Sequence, residues 1–373
     1  METYRLTSKL NDNEREYLIQ TTNDGNLGSV LTTVVIDGVP AETVTSPHPS
    51  DINPEEVLSF VKMTHGEKKD EVERLLKALR AAISSHDVQK MFHLGTAFLY
   101  KGFYHEAREL FVNCINLNHT HHQAYNFLST TQLALGRFDE AESAAHTAVQ
   151  ERPGYADYRN NYAEALLANN KIKEAIRQLD RAIEINMYYS DAYFNQGLAH
   201  LLAAVNIPEK ERPSGAVRKI ADFFHRASLT YANFQSENYD AGMRALRNGD
   251  LVNALSVFTK IREEKKDRHR SEFASFYMKF VLYPEWVSEK AVSDRISFLK
   301  SELEKNPSYV DLHAELSQCY LEQARLAWRD GIEQLRLTSE INPSLNKIAA
   351  AKEQCEQVYS YISRALRFLN ERG

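Results

Sequence analysis

The chain has 373 residues, is 43% hydrophobic and carries a formal net charge of −6. That apolar content is too high for a disordered chain, and the basic surplus with which a nucleic-acid binder neutralises phosphates is missing. The length suffices for two domains or one extended array. Cys114, Cys319 and Cys355 are far apart and form no CxxC pair, which argues against a disulfide framework and for a reducing compartment. The first residues include no apolar run of signal-peptide length, and no stretch approaches the roughly 20 apolar residues of a membrane span. A cytoplasmic protein without a membrane span is predicted.

Residues 1–50 read as a β-rich head and linker. Arg15 to Thr22 and Gly28 to Ile36 are rich in Thr, Val, Ile and Tyr and alternate in steps of two, the period of a pleated strand. Asn23-Asp24-Gly25 marks a turn, and Asp37-Gly38 a two-residue hairpin. The pattern predicts three or four antiparallel strands. A sheet this small needs a covering surface. Val57, Leu58, Phe60 and Val61, after Asn53-Pro54-Glu55-Glu56, would supply it from a helix. The segment Thr45 to Ser50 reads as linker, and residues 51–87 as leading helices, with Glu67 to Ser84 capping or opening a helical array.

Beyond residue 87 the dominant signal is an internal repeat. Leu94-Gly95, Leu128-Ser129, Tyr162-Ala163 and Gln196-Gly197 recur every 34 residues. Ala107, Ala141 and Ala175 follow in register, then Phe111, Ala145 and Leu179, then Cys114, Ala148 and Ala182. Lys101-Gly102-Phe103, Leu135-Gly136-Arg137 and Asn169-Asn170-Lys171 begin the inter-helix turns, and Pro153 closes one repeat. This pattern resembles the tetratricopeptide repeat. The fold implied is mostly α, a right-handed superhelical solenoid of antiparallel helix pairs behind a small antiparallel β-sheet head. Small residues are needed where two helices cross closely, and large ones such as Met91, Phe98, Tyr125 and Leu166 fill the space between pairs, so stability comes from stacking. Five repeats are predicted over residues 88–268, with Ala241-Gly242, Ala254, Phe258 and Ile261 marking the fifth and a polar loop inserted at 205–215. Two degenerate repeats follow over 269–343. Residues 344–373 read as a terminal helix whose stripe of Ile348, Ala351, Cys355, Val358 and Ile362 either caps the array or forms a dimerisation seam.

The resemblance also places a binding face. In the family, the first helix of each pair lines a concave surface that holds peptides. Carried onto this chain, that face offers Asn126 and Thr130 in the second repeat, with Gln123 and Phe127 beside them. The third repeat offers Asp157, Asn160, Asn161 and Glu164, and the fourth Asp191, Phe194 and Asn195, with Leu198 beside them. Asn161 and Asn195 are 34 apart and should fall on one line, where amides could pair with an extended peptide backbone. An ordinary solvated face is the competing reading of the same residues. A clamp for a C-terminal carboxylate is disfavoured, because Asp157 and Asp191 stand where that ligand needs cations.

Little else points to chemistry. His119-Thr120-His121-His122 lies in an inter-repeat turn without the further ligands a zinc site wants, so it reads as a solvated turn. Cys114 occupies a core position and Trp286 and Trp328 helical ones. The mixed-sign run Arg262 to Arg270 reads as an exposed helix end. No phosphate-cradling loop, HExxH or GxSxG occurs. The sequence therefore predicts a non-catalytic adaptor without cofactor or metal, which holds a partner peptide or helix in its concave groove. The alternative is a structural component that assembles into a homo-oligomer or larger complex.

Overall fold

The structure, a computed structural model, describes residues 3–12, 14–24, 28–48, 53–277, 287–307, 310–342 and 346–372. Trp286, Gly25 and the Ser50 end of the expected linker lie outside the described residues. The chain forms two compact units, Met1–Pro153 with Asp267–Ser275, and Gly154–Lys266 with Phe276–Gly373.

The first unit opens with β1 (Arg5–Asp12), β2 (Arg15–Asp24), β3 (Ser29–Ile36) and β4 (Val39–Pro47), a four-stranded antiparallel meander in chain order. Thr45, Ser46 and Pro47 continue β4 and are not linker, because they pair with Leu31, Val30 and Ser29. Asp37 and Gly38 have positive φ, 50° and 85°, as a tight hairpin turn matched to strand twist requires. Tyr17, Ile19, Thr21 and Asn23 stand opposite Ile36, Val34, Thr32 and Val30, and all eight side chains are buried. This face packs under α1 (Pro54–Ser85) through Val30, Val57 and Val61. Helix α1 is one uninterrupted helix, not separate leading helices. Asn53 and Glu56 close a reciprocal capping box at its start, and Gly66 keeps helical geometry within it. On its buried face the His65 ring lies between Ser8 Oγ at 2.8 Å and Thr21 Oγ1 at 3.0 Å.

Helices α2 (Val88–Lys101), α3 (Tyr104–Leu117), α4 (His122–Ala134) and α5 (Phe138–Glu151) complete the first unit. Several contacts fasten the head to its first helix pair, an Arg15–Glu106 ion pair at 3.5 Å among them. The hydroxyl of Tyr17 donates to Glu106 Oε1 at 2.6 Å. Lys101, almost fully buried, donates to Glu42 of β4 at 2.8 Å and to Glu71 of α1 at 2.6 Å, while Lys68 bridges the same two carboxylates. Gly102 lies so close to β4 that an added β-carbon would stand 2.3 Å from the Ala41 carbonyl oxygen. His121 is buried and caps α4, its Nδ1 accepting from the Ala124 amide at 3.2 Å, so the histidine turn is not simply solvated.

In the second unit α6 (Ala156–Ala168) pairs with α7 (Ile172–Ile185), α8 (Ser190–Val205) with α9 (Ala216–Thr230), and α10 (Glu237–Arg247) precedes α11 (Leu251–Tyr277). The inserted loop carries one short 3-10 turn at Glu209–Glu211, and the Arg212 guanidinium ties it back to the Ala204 and Ile207 carbonyls. α12 (Glu289–Lys305), α13 (Val310–Ile341) and α14 (Asn346–Arg372) end the chain. The segment expected as a seventh helix pair is the single 32-residue helix α13. A break needs a left-handed residue like Gly102, Gly136 or Asn170, and Gly331 stays helical. α14 packs on α13, where Trp328 Nε1 donates to the Cys355 carbonyl at 3.0 Å and Arg325 to the Tyr359 hydroxyl at 2.6 Å.

The starts of α2, α4, α6 and α8 reproduce the 34-residue period. The registered residues Ala107, Ala141, Ala175 and Ala254 are all fully buried. A β-carbon on Gly95, Gly197 or Gly242 would stand 2.9, 2.9 or 2.8 Å from the rings of Phe111, Phe224 and Phe258 respectively. Alanine at Gly197 would gain about 1 kcal/mol of helix propensity and offset much of the crowding. Leucine there would wedge α8 from α9 and is expected to cost about 3 kcal/mol, because Phe224 is itself stacked on Phe258 at 3.7 Å and has nowhere to go. Thermal unfolding of Gly197→Ala and Gly197→Leu measures the difference. Equal melting would contradict the packing described.

Two buried histidines, His65 and His121, and two half-buried ones, His93 and His200, should make the fold acid-sensitive. Burial is the main cause in each case: it pushes His93 and His200 down to about 4, aided by His121 beside the first and Lys219 beside the second, and it lowers His65 and His121 as well. In the unfolded chain these rings take up protons near 6.5, so the unfolded state gains protons first as pH falls. Stability should therefore be complete above pH 6.5 and decline towards pH 4. A melting temperature unchanged across that window would contradict it.

Candidate functional site

Helices α6 and α8 form the best-defined polar face in the second unit. Asp157, Asn160, Asn161 and Glu164 recur at steps of three and four, which puts them on one side of α6. Asp191 and Asn195 project from α8 beside them. The Asn195 amide donates to Asn160 Oδ1 at 2.8 Å and to Glu164 Oε1 at 3.0 Å. Asn160 and Asn195 are both buried, whereas Asp157 is exposed and Asn161 half-buried. Asn195 thus reaches Asn160 and Glu164. The 34-residue register fixes equivalent positions but does not make them touch. Asn195 Oδ1 accepts no hydrogen bond.

Phe194, expected on the same face, is a core residue at 1% exposure. It stacks on Phe234 at 4.4 Å and meets Phe224 edge-on at 5.1 Å, because an apolar ring one position before Asn195 turns inward between α8 and its neighbours. Asn126 and Thr130 lie on α4 in the first unit. Asn126 is buried, and the half-buried Thr130 hydroxyl donates back to the Asn126 carbonyl at 3.4 Å.

The α6–α8 face is occupied by the chain itself. Lys266 of α11 donates to Glu164 at 2.6 Å, and Lys265 pairs with Asp191. The Lys265 ammonium also stands 4.6 Å from the Tyr231 ring centroid and 4.7 Å from that of Phe234. Burial pushes the Glu164 carboxyl up, but the Lys266 and Arg262 charges and the hydrogen bonds from Lys266 and Asn195 outweigh it and hold the group below the usual range. The run from Arg262 is therefore not a free helix end over Lys265 and Lys266. One sequence signal marks this. α3, α5 and α7 each stop after 14 residues, whereas nothing after Ile261 stops α11, which runs on for 27.

Antiparallel helix pairs closed by registered small residues, with a polar face on the leading helices, define a helical-repeat protein. Residues 92–199 of the chain are tetratricopeptide repeats, since the tetratricopeptide-repeat family models match residues 92–156 and 132–199. Solved structures of such proteins are similar over part of the chain. MamA shares 21% identity over 44% of this chain and 90% of its own, with a TM-score of 0.36. YrrB, described as a TPR protein with an unusual peptide-binding site, shares 16% over 53% and 97%, at 0.36. TTC0263 of Thermus thermophilus shares 19% over 63% and 99%, at 0.34. Tetratricopeptide domains typically mediate protein or peptide binding and are typically non-catalytic. No helix among the described residues is long and apolar enough to cross a membrane.

Proposed function

We propose that the protein is a non-catalytic adaptor that holds a segment of a partner protein against its leading repeat helices. The single observation that carries this reading is the pairing of Lys265 and Lys266 with Asp191 and Glu164. A face that lodges one helix through paired charges has the shape and chemistry to lodge another. Asp157, exposed, and Asn161, half-buried, would add contacts on α6. Asn126 and Thr130 would do so on α4, each unit using its own surface. The partner segment would be basic, because carboxylates dominate the α6–α8 face and like charge there is repelled.

Site-specific photo-crosslinking in the native cell tests this. A photoreactive residue at Thr130, Asp157 or Asn161 should give a discrete protein adduct. The same residue at Glu174 or Arg181, exposed on α7, should not. Adducts from α7 alone would place the partner elsewhere and overturn the reading.

A further inference from the structure

The environment of Lys265 amounts to a complete receptor for an ammonium ion. Its Nζ meets the Asp191 carboxylate, the Tyr231 ring face and the Phe234 ring face. Both centroids fall inside the roughly 6 Å over which a ring attracts a cation. The two rings stand 5.3 Å apart at 81°, so they form two walls of a box instead of one continuous stack. Each wall is fixed without help from Lys265. Phe234 is 2% exposed and clamped by Phe194. Tyr231 has its hydroxyl held by the Asn233 amide at 3.1 Å, and that amide is held in turn by Glu302 at 2.7 Å. Asp191 sits in the first turn of α8, fixed by the repeat. A box whose walls do not depend on their occupant is pre-organised to accept another of the same chemistry.

Lys265 arrives from outside the repeat pattern. It lies on the extension of α11 beyond the 14 residues that suffice for α3, α5 and α7, and its neighbour Lys266 takes the second carboxylate, Glu164. At the base of the extension both lysines are held through paired charges, and such contacts weaken readily in favour of a competing cation.

We infer that Asp191, Tyr231 and Phe234 form a lysine receptor, that Lys265 fills it as a self-ligand, and that a partner segment with two adjacent lysines enters by displacing this part of α11. The inference rests on the reading of α6 and α8 as partner-binding helices and adds the chemistry of the partner and the brake on its entry. A tethered occupant acts at a millimolar effective concentration, so the partner must bring further contacts, and a lone lysine does not displace α11.

The test uses the full chain and, as probe, a fluorescein-labelled peptide with the sequence of residues 258–268, read by fluorescence polarisation. Lys265→Glu with Lys266→Glu sets like charge against Asp191 and Glu164 and opens the face, and circular dichroism confirms that the helices remain. The opened variant should bind the peptide at least about tenfold more tightly than the native chain, the order expected for one ion pair plus two ring contacts. Alanine in place of the peptide lysine that corresponds to Lys265, or Asp191→Asn added to the variant, should each remove that gain. No binding by the opened, folded variant, or equal binding of the alanine peptide, would overturn the receptor. Either result leaves the photo-crosslinking test untouched, and an adaptor without this receptor would still crosslink from α6.

Discussion

Replacing Gly102 by alanine is expected to destabilise the first unit by about 3 kcal/mol, while the same change at Gly136 should cost only about 1 kcal/mol. The two glycines occupy the same position in consecutive repeats, 34 residues apart, and have similar left-handed backbones, with φ of 81° and 70°. Any L-residue loses energy in that conformation, which accounts for the shared part of the cost. They differ in surroundings. A β-carbon on Gly102 would stand 2.3 Å from the Ala41 carbonyl oxygen of β4, whereas one on Gly136 would meet nothing within 4 Å. The excess at Gly102 therefore measures how tightly the sheet sits on the first helix pair. Denaturant unfolding of the two variants reads it, with protease cleavage within residues 1–48 reporting head release. Equal losses would mean that the sheet yields at no cost.

Lys101→Met should cost a similar amount, about 3 kcal/mol, by leaving buried carboxylates short of a cation. Lys101 joins three elements, Glu42 on β4, Glu71 on α1 and its own α2, and Lys68 alone would remain to neutralise both carboxylates. The loss should depend on pH. Burial raises the Glu71 carboxyl, but the Lys101 and Lys68 charges outweigh it and take the group down to about 2. Its stabilising contribution is thus present above the unfolded value near 4.5 and lost as pH falls towards 2. The gap in unfolding free energy between native chain and variant should accordingly narrow below about pH 4.5. A constant gap would show that methionine harms packing and not charge balance.

These two residues also mark where the sequence stops being informative. The 34-residue repeat is legible because the same steric demand recurs in register, and Ala107, Ala141 and Ala175 meet it by being small. The strands are legible because Tyr17, Ile19 and Thr21 alternate towards one buried face. The fastening of head to array is not legible. Glu42, Glu71 and Lys101 are ordinary charged residues until folding brings them together, and Gly102 looks like any other turn glycine. Continuous helices were missed where a break was expected from loosely repeating apolar residues, as in α1 and α13, since periodicity is blind to whether a turn interrupts it.

The candidate site divides the same way. Spacing alone puts Asp157, Asn160, Asn161 and Glu164 on one side of α6. It does not tell that Asn160 and Asn195 bond to each other, that Phe194 turns inward onto Phe234, or that two lysines some 70 and 100 residues away cover the acids. Buried polar groups find partners wherever the fold supplies them, and such partners are set by tertiary geometry.

Amide hydrogen exchange over residues 258–266, compared between the native chain and Glu164→Gln with Asp191→Asn, reports most directly on whether α6 and α8 lodge α11 through its lysines. Removing the two negative charges should speed exchange in that stretch at least about tenfold while the amides of α6 and α7 keep their protection. Unchanged protection along α11 would mean that the helix rests there for other reasons and that the acidic face has no grip on cations.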